Sequence, residues 1–159
     1  MKIITITFMI IAGLLLQCQE QGTEATETSL NVTTVRDEAT YQQAITALTE
    51  GVKTDGFTLK SVKIDDAELV MYIEVSYGGG CAKHTFDLIW PDIILGIYPP
   101  QFSVVLNHQA NGDTCKALLT QTLKIDLTNN ALNLDDQSIK DMTVTVINGS
   151  NPDEKVQNE

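Results

Sequence analysis

The stretch "SYGGGCAKHTFDLIW", residues 76–90, decides the fold because three glycines separate two segments that each alternate apolar and polar side chains. Before the glycines, every second position from Leu69 to Tyr77 is apolar or aromatic. After them, the same period of two runs from His84 to Trp90. This period is typical of a strand with one buried face. The glycines therefore belong to the connection between two strands.

The strand after the glycines is expected to pair antiparallel with residues 102–109, whose apolar side chains also alternate. Burial selects the register in which the two apolar faces coincide, because a slip by one residue turns every side chain to the other face. In that register Phe86 faces Leu106. The same register places His84 opposite His108.

The dipeptide Asn111-Gly112 predicts a two-residue hairpin turn, since both of its positions need a positive φ in such a turn. The turn is expected to lead into a strand over residues 115–127. When the hairpin is centred on this turn, Cys115 lies opposite His108. The two histidines and this cysteine then share one row across three strands.

The overall pattern predicts an all-β domain. It is expected to be an antiparallel β-sandwich or open barrel of about six strands with one short N-terminal helix. Tyr41, Ala44, Ile45 and Leu48 have helical spacing, and Gly51 is the expected stop. One strand is expected to end near Ile64, and the others to cover about 69–77, 83–90, 102–109, 115–127 and 142–148.

The N-terminus carries a targeting signal. Lys2 precedes an apolar run from Ile3 to Leu16, which has the length of a signal-peptide core and is too short to span a bilayer comfortably. The run with its following Cys18 resembles the signal of bacterial lipoproteins, although Gln17 replaces the usual small residue. The resemblance implies lipidation at Cys18. A plain secretory signal cut nearby is the alternative.

Composition divides the chain into four segments. Residues 1–17 are interpreted as the signal peptide. Residues 18–34 follow as a lipidated cysteine and flexible tether, because they are rich in Gln, Glu, Thr and Ser and have few apolar groups to bury. A single β-sandwich domain is expected over 35–148. For the same compositional reason, residues 149–159 are predicted to be a disordered tail.

The charge of the chain excludes some partners. Its 10 basic and 21 acidic residues give a formal net charge of −11 at pH 7. Nucleic acid is excluded as a partner, because binding to phosphates requires positive charge. Anionic lipid surfaces are disfavoured for the same reason. Any attachment to a membrane is therefore expected to come from the N-terminal lipid.

Three cysteines occur, and lipidation of Cys18 would leave Cys81 and Cys115 to form a disulfide in the oxidising cell envelope. Plain extended backbone would hold these two cysteines too far apart, since bonded Cα atoms lie within about 7 Å. The glycine run allows the chain to curl back and close that gap.

Two reactive alternatives are open for the same residues. His84, His108 and Asp113 with one or both thiolates of Cys81 and Cys115 would form a site suited to zinc or copper. Cys81 with His84 as its base would instead be a reactive thiol. Without either, the histidines would cap the edge of the core, and no cofactor would be needed.

The segment "WPDIILGIYPP", residues 90–100, is an unusually apolar connection between prolines. One interpretation is that it folds over one end of the sandwich. The other is an exposed patch that docks a partner, an acyl chain or a second copy. The candidate contact residues are Ile94, Leu95, Ile97 and Tyr98.

Two segments together, "GGGCAKHTFDLIW" and "NHQANGDTCKALLTQTLKIDLT", resemble small uncharacterised bacterial envelope lipoproteins with a GGC-x-x-H-x-F segment and a later cysteine before a long strand. The resemblance covers roughly residues 57–128. It implies a β domain in the cell envelope and no particular activity.

These observations predict a non-enzymatic, lipid-anchored domain of the bacterial cell envelope that binds a protein or another envelope component. No persuasive catalytic set is present, because the carboxylate pairs at Asp65-Asp66 and Asp135-Asp136 fall where turns are expected. The alternative is a periplasmic metal-binding protein that uses the two histidines and Cys81 and Cys115.

Overall fold

The structure, a computed structural model, describes residues 31–92, 97–128 and 132–159. Within these ranges, eight strands form two sheets that are not closed into a barrel, so the predicted β-sandwich class is confirmed. In chain order the elements are β1 (Asn31–Arg36), α1 (Glu38–Thr49), β2 (Thr58–Asp65), β3 (Val70–Gly79), β4 (Thr85–Trp90), β5 (Gln101–Gln109), β6 (Ala117–Asp126), α2 (Asp136–Asp141), β7 (Thr143–Asn148) and β8 (Asn151–Gln157).

The larger sheet has the strand order β1-β4-β5-β7-β8. The expected antiparallel pairing holds for only part of this sheet: β4 with β5 and β7 with β8 are antiparallel, whereas β1 runs parallel to β4 and β5 runs parallel to β7. Parallel pairing needs a long connection between the partners. The chain meets that need, since other elements separate both pairs along the sequence.

The smaller sheet has the order β2-β3-β6 and is antiparallel throughout. Alternate side chains of its strands face those of the larger sheet and form one buried core with them. The largest fully buried side chains come from both sheets and include Trp90, Phe86, Met71, Ile73, Leu88, Leu106 and Leu123.

Helix α1 contains the predicted helical segment and ends before Gly51 as expected, and its sequence explains both ends. Asp37 is the N-cap, and its carboxylate accepts a hydrogen bond of 2.7 Å from the backbone N–H of Thr40. After the helix, Gly51 adopts a φ of +77°, a conformation that glycine tolerates without steric cost. The helix contacts β1, β4 and β5.

The predicted register between β4 and β5 is wrong by two residues. Phe86 pairs with His108 rather than with Leu106, and Leu88 takes Leu106 as its partner. A shift of two residues leaves each side chain on its predicted face. The apolar faces of both strands are therefore buried as expected, while His84 precedes β4 and lies diagonally to His108.

The predicted hairpin between β5 and β6 is wrong. Asn111 and Gly112 do adopt positive φ values of +52° and +75°. The chain then crosses to the smaller sheet, where β6 pairs with β3. Cys115 precedes β6 and does not pair with His108, so the predicted row of two histidines and a cysteine does not form.

Both predicted domain boundaries need correction. Residues 31–34 belong to β1 rather than to a tether, since the β-branched run in "NVTTVR" pairs with β4. Residues 151–157 form β8, so the prediction of a disordered tail over 149–159 is wrong. Val156 packs against the core, and this contact with the ladder to β7 orders an otherwise polar segment.

The predicted signal peptide, Cys18 and the first part of the tether, through residue 30, lie outside the described residues. Of the helices in the described part of the chain, neither has the length and apolar character needed to cross a membrane.

Candidate functional site

The connection from β3 to β4 explains the glycine run. A Cβ atom built on Gly79 would lie 2.5 Å from Nε2 of His84, so a side chain does not fit there. Gly80 has a φ of +120°, a backbone conformation that residues with a side chain rarely adopt. Gly78 has nothing within 4 Å of its Cβ position. Two of the three glycines are therefore needed for the turn that follows them.

This turn brings Cys81 to Cys115, and the two form a disulfide with a Cα–Cα distance of 5.9 Å. The bond lies at the surface, since Cys81 is exposed and Cys115 is half-buried. It ties the connection between β3 and β4 to the segment that leads into β6. Both thiols are consumed by this bond, so neither is available as a nucleophile or as a thiolate ligand.

Asp113 joins the same two segments a second time, through hydrogen bonds of its side chain. Its Oδ2 atom accepts hydrogen bonds of 2.8 Å from the backbone N–H groups of Gly80, Cys81 and Ala82. Its Oδ1 atom accepts a further bond of 2.8 Å from the N–H of Cys115. These backbone donors lower the pKa of Asp113 far below its usual value of 3.8.

The two histidines form a buried chain of hydrogen bonds that ends on this carboxylate. Nε2 of His84 lies 3.2 Å from Oδ2 of Asp113, and Nδ1 of His84 lies 2.8 Å from Nε2 of His108. Nδ1 of His108 is 3.2 Å from the carbonyl oxygen of Asp55. The residues His84 and His108 are only 2% and 1% exposed.

Hydrogen bonds engage all four ring nitrogens of this pair. The carbonyl oxygen of Asp55 only accepts, so Nδ1 of His108 donates to it. The remaining two contacts join the rings to each other and His84 to Asp113.

Aromatic side chains enclose the pair. The ring of Tyr77 lies 4.5 Å from that of His84, and Phe86 stacks on His108 with 4.6 Å between ring centroids. Burial lowers the pKa of His108 below 6.5 and so favours its neutral form.

The predicted metal ligands are close together, but they are bonded to one another. Within the described residues, the ligating groups that lie near enough to share an ion are Cys81, Asp113 and Cys115, whose ligand atoms are within 4.8 Å of each other. Two of the three form the disulfide. The histidine nitrogens contact each other, Asp113 and Asp55 instead of facing a common open point.

The predicted contact patch is only partly described. Ile97 and Tyr98 are 48% and 67% exposed, in agreement with their position in a surface connection. The hydroxyl of Tyr98 donates a hydrogen bond to Asp141, which raises the pKa of the tyrosine. Ile94 and Leu95 lie outside the described residues.

Sequence reasoning missed two members of the cluster. Tyr77 lies in the quoted stretch, but its place on the apolar face gave no reason to connect it with the histidines. Asp55 contributes its backbone carbonyl to His108 and its carboxylate to the N–H of Ala110. A backbone contact of this kind leaves no signal in the side-chain pattern.

No protein-family model and no curated protein matches the sequence. Several solved structures are similar in fold. A protein of unknown function DUF1344 from Bacteroides vulgatus ATCC 8482 superimposes with a TM-score of 0.47 at 11% identity, over 80% of this chain and 54% of that one. A NigD-like immunity protein from Bacteroides caccae ATCC 43185 gives 0.45 at 18% identity, over 75% and 52%.

A candidate lipoprotein from Bacteroides fragilis NCTC 9343 gives a TM-score of 0.43 at 13% identity, over 74% of this chain and 60% of that one. The chain thus spans less than two thirds of the length of these structures. At such identities the similarity concerns the β fold alone, and no functional conclusion follows from it.

Proposed function

We propose that this chain is a lipid-anchored domain of the bacterial cell envelope that binds another envelope component and does not catalyse a reaction. The observation that supports this proposal is that the reactive side chains of the cluster are bonded to other groups of the protein itself. Cys81 and Cys115 are joined, and Asp113 is held by backbone N–H groups. His84 and His108 are bonded inside the core.

The same groups stabilise a surface connection instead of serving an external substrate. Each ring nitrogen of His84 and His108 already has a hydrogen-bond partner. A general base must reach the proton that it abstracts, so a buried pair with occupied nitrogens is unsuited to that role. The disulfide also favours an oxidising compartment, where such bonds persist.

The anchoring part of the proposal is tested by fractionating bacteria that express the full chain or its Cys18→Ala variant. The full chain is expected in the membrane fraction, with an N-terminal peptide whose mass includes acyl chains. The variant is expected to lose the acyl mass and leave the membrane fraction. A full chain without acyl mass would contradict lipid anchoring.

The binding part is tested by chemical cross-linking of intact cells, followed by purification of the full chain in detergent. One reproducible adduct is expected, and the Cys18→Ala variant, which is displaced from the membrane, is expected to lose it. The absence of any adduct with several cross-linkers would contradict the binding role.

Thiol titration of the folded, envelope-purified protein distinguishes the metal-binding alternative. The proposal expects no free thiol at Cys81 and Cys115. Two free thiols with an equivalent of zinc or copper would instead support a metal protein, because reduction would release both sulfurs beside Asp113.

A further inference from the structure

A cleft with a volume of about 430 Å³ lies between α1 and the larger sheet, away from the disulfide. This volume falls within the range of about 300–1,000 Å³ that is typical of small-molecule sites. Tyr41 and Glu38 line it from the helix. Side chains of β5, β7 and β8 line it from the sheet.

The sheet side of the cleft consists mainly of an array of neutral polar side chains, and Pro91 and Phe102 complete the lining. Gln101 pairs with Thr143 across the ladder from β5 to β7. Ser103 pairs with Thr145, and Thr145 pairs with Gln157 of β8. Paired residues point to the same face of a sheet, so the five side chains form two adjacent rows. They alternate with the core residues of the same strands, and this face is therefore the outer one.

Within the described residues, the side-chain polar groups of this array have no hydrogen-bond partner in the protein. Across the described ranges, no side-chain hydrogen bond joins Gln101, Ser103, Thr143, Thr145 or Gln157 to another group of the chain. Thr143 and Thr145 are half-buried, which reduces their access to water. Convergent donors and acceptors in a cleft are the groups that orient a polar ligand.

Tyr41 adds an aromatic face and a hydroxyl to the helix side. Its side chain is half-buried, and burial together with the nearby charge of Glu38 raises its pKa. The phenol therefore stays protonated and can donate a hydrogen bond. An amphipathic ring with a polar tip suits a ligand that presents both C–H and hydroxyl groups.

The lining also excludes other ligand classes. Among the described lining residues there is no lysine, arginine or histidine, and Glu38 carries the single charge. A phosphate or carboxylate ligand would have no cation to pair with, and the net charge of −11 would repel it. A fully apolar ligand would cover the hydroxyl and amide groups of the lining and leave them without hydrogen-bond partners, which is costly.

We propose that this cleft binds a neutral saccharide. Such a ligand carries many hydroxyl groups that both donate and accept, as the lining side chains do, and it has no charge to desolvate. The proposal rests on the binding function proposed above and adds the ligand class and its location. A neutral peptide is disfavoured, because strand addition uses a sheet edge whereas this cleft lies on a sheet face.

The test uses the full, processed chain in detergent micelles with a panel of neutral oligosaccharides. The panel contains maltotetraose, cellotetraose, xylotetraose, mannotetraose and chitotetraose, each titrated to millimolar concentration by calorimetry. Saturable binding of at least one is expected. An oligogalacturonate of similar length is expected not to bind, since it is anionic.

Two variants locate the site. Thr145→Val removes one hydroxyl at constant shape, and Tyr41→Ala removes the ring and its donor. Each is expected to weaken binding about fivefold to tenfold or more. Thr122→Val on the exposed side of β6 is the matched control and is expected to bind as the unaltered chain does. All variants should unfold in urea at the same midpoint as the unaltered chain, within error.

Three outcomes would overturn the inference. They are no binding of any neutral oligosaccharide, binding by both cleft variants with the same affinity as the unaltered chain, and displacement of the sugar by a neutral peptide pool. If the cross-linked envelope adduct persists without sugar binding, the saccharide inference fails and the proposed function stands. If the adduct is also absent, both fail.

Discussion

Gly78 and Gly79 are neighbours in β3, but a side chain added at Gly79 would clash with another residue, whereas one added at Gly78 would not. A Cβ on Gly79 would come within 2.5 Å of His84 Nε2, whereas the Cβ position of Gly78 is open. We expect Gly79→Ala to lower the free energy of unfolding by about 1–3 kcal/mol, because the buried ring must shift and its bond to Asp113 is disturbed. Urea unfolding measures this change.

Gly78→Ala is the matched control. It changes the same residue type one position earlier and is expected to change the free energy of unfolding by less than about 0.5 kcal/mol. Equal losses for both variants would mean that backbone flexibility, and not the contact with His84, sets the requirement for glycine.

The histidine pair predicts how stability depends on pH. Burial holds the pKa of His108 below 6.5 in the folded protein. As pH falls below about 6.5, the unfolded chain takes up a proton at this residue that the folded protein does not, so the free energy of unfolding decreases. The pKa of Asp113 is also lowered, so its contribution is present above 3.8 and is lost as pH falls further.

Urea unfolding at pH 7.5, 6.5, 5.5 and 4.5 tests this sign. The slope from His108 is expected to approach about 1.4 kcal/mol per pH unit at most, which corresponds to one proton. The chain has only two histidines, which limits the groups that titrate in this window. His108→Gln is expected to flatten the slope. Stability that increases from pH 6.5 to 5.5 would contradict the assignment of a neutral His108.

Most strands were predictable from alternation, but their partners were not. The period of two fixes which face of β4 and β5 is buried, and the structure agrees on every such face. A shift by two residues buries the same side chains, so burial alone cannot distinguish Phe86 opposite Leu106 from Phe86 opposite His108. Register depends on the connection between the strands, which the pattern does not specify.

The candidate site shows the same limit. The sequence indicated the cysteine pair, the histidines and Asp113 as one cluster, and they do lie together. The path of the chain after Asn111-Gly112 was not predictable, because a local turn does not determine which strand pairs next. Asp113 bonds to residues 80–82 immediately after this turn, and that contact directs the chain toward β3.

Strand β8 is expected to contribute to the stability of the domain. It pairs with β7, and Asn158 accepts a hydrogen bond of 2.6 Å from the backbone N–H of Val144. Asn148 also donates to Glu154. We expect a chain that stops after Ser150 to lose at least about 2 kcal/mol of unfolding free energy, because several hydrogen bonds are removed together.

Removal of Glu159 alone is the control for this truncation. This residue contributes one exposed ion pair to Lys63 at 4.0 Å, and exposed pairs contribute little. Thermal unfolding monitored by circular dichroism compares the two chains. Equal stability after removal of the last nine residues would show that β8 is dispensable for the sandwich.

The two sheets share one core, and the connections between them hold the sandwich in its topology. The chain passes from the smaller sheet to the larger one between β3 and β4, and it returns between β5 and β6. The Cys81–Cys115 bond joins these two crossings directly. Asp113 joins them a second time through backbone N–H groups. The covalent link and the carboxylate therefore stabilise the same feature.

Removal of the disulfide by Cys81→Ser with Cys115→Ser is expected to lower the free energy of unfolding by about 3–4 kcal/mol, because the unfolded chain gains the entropy of a loop with a sequence separation of 34 residues. Urea unfolding measures this loss of free energy. The unaltered chain in reductant is the control and is expected to show the same loss. Asp113 still bridges the crossings, so the native circular dichroism spectrum is expected to persist. An unchanged midpoint in both experiments would mean that Asp113 alone closes the turn and that the sulfurs add nothing to stability.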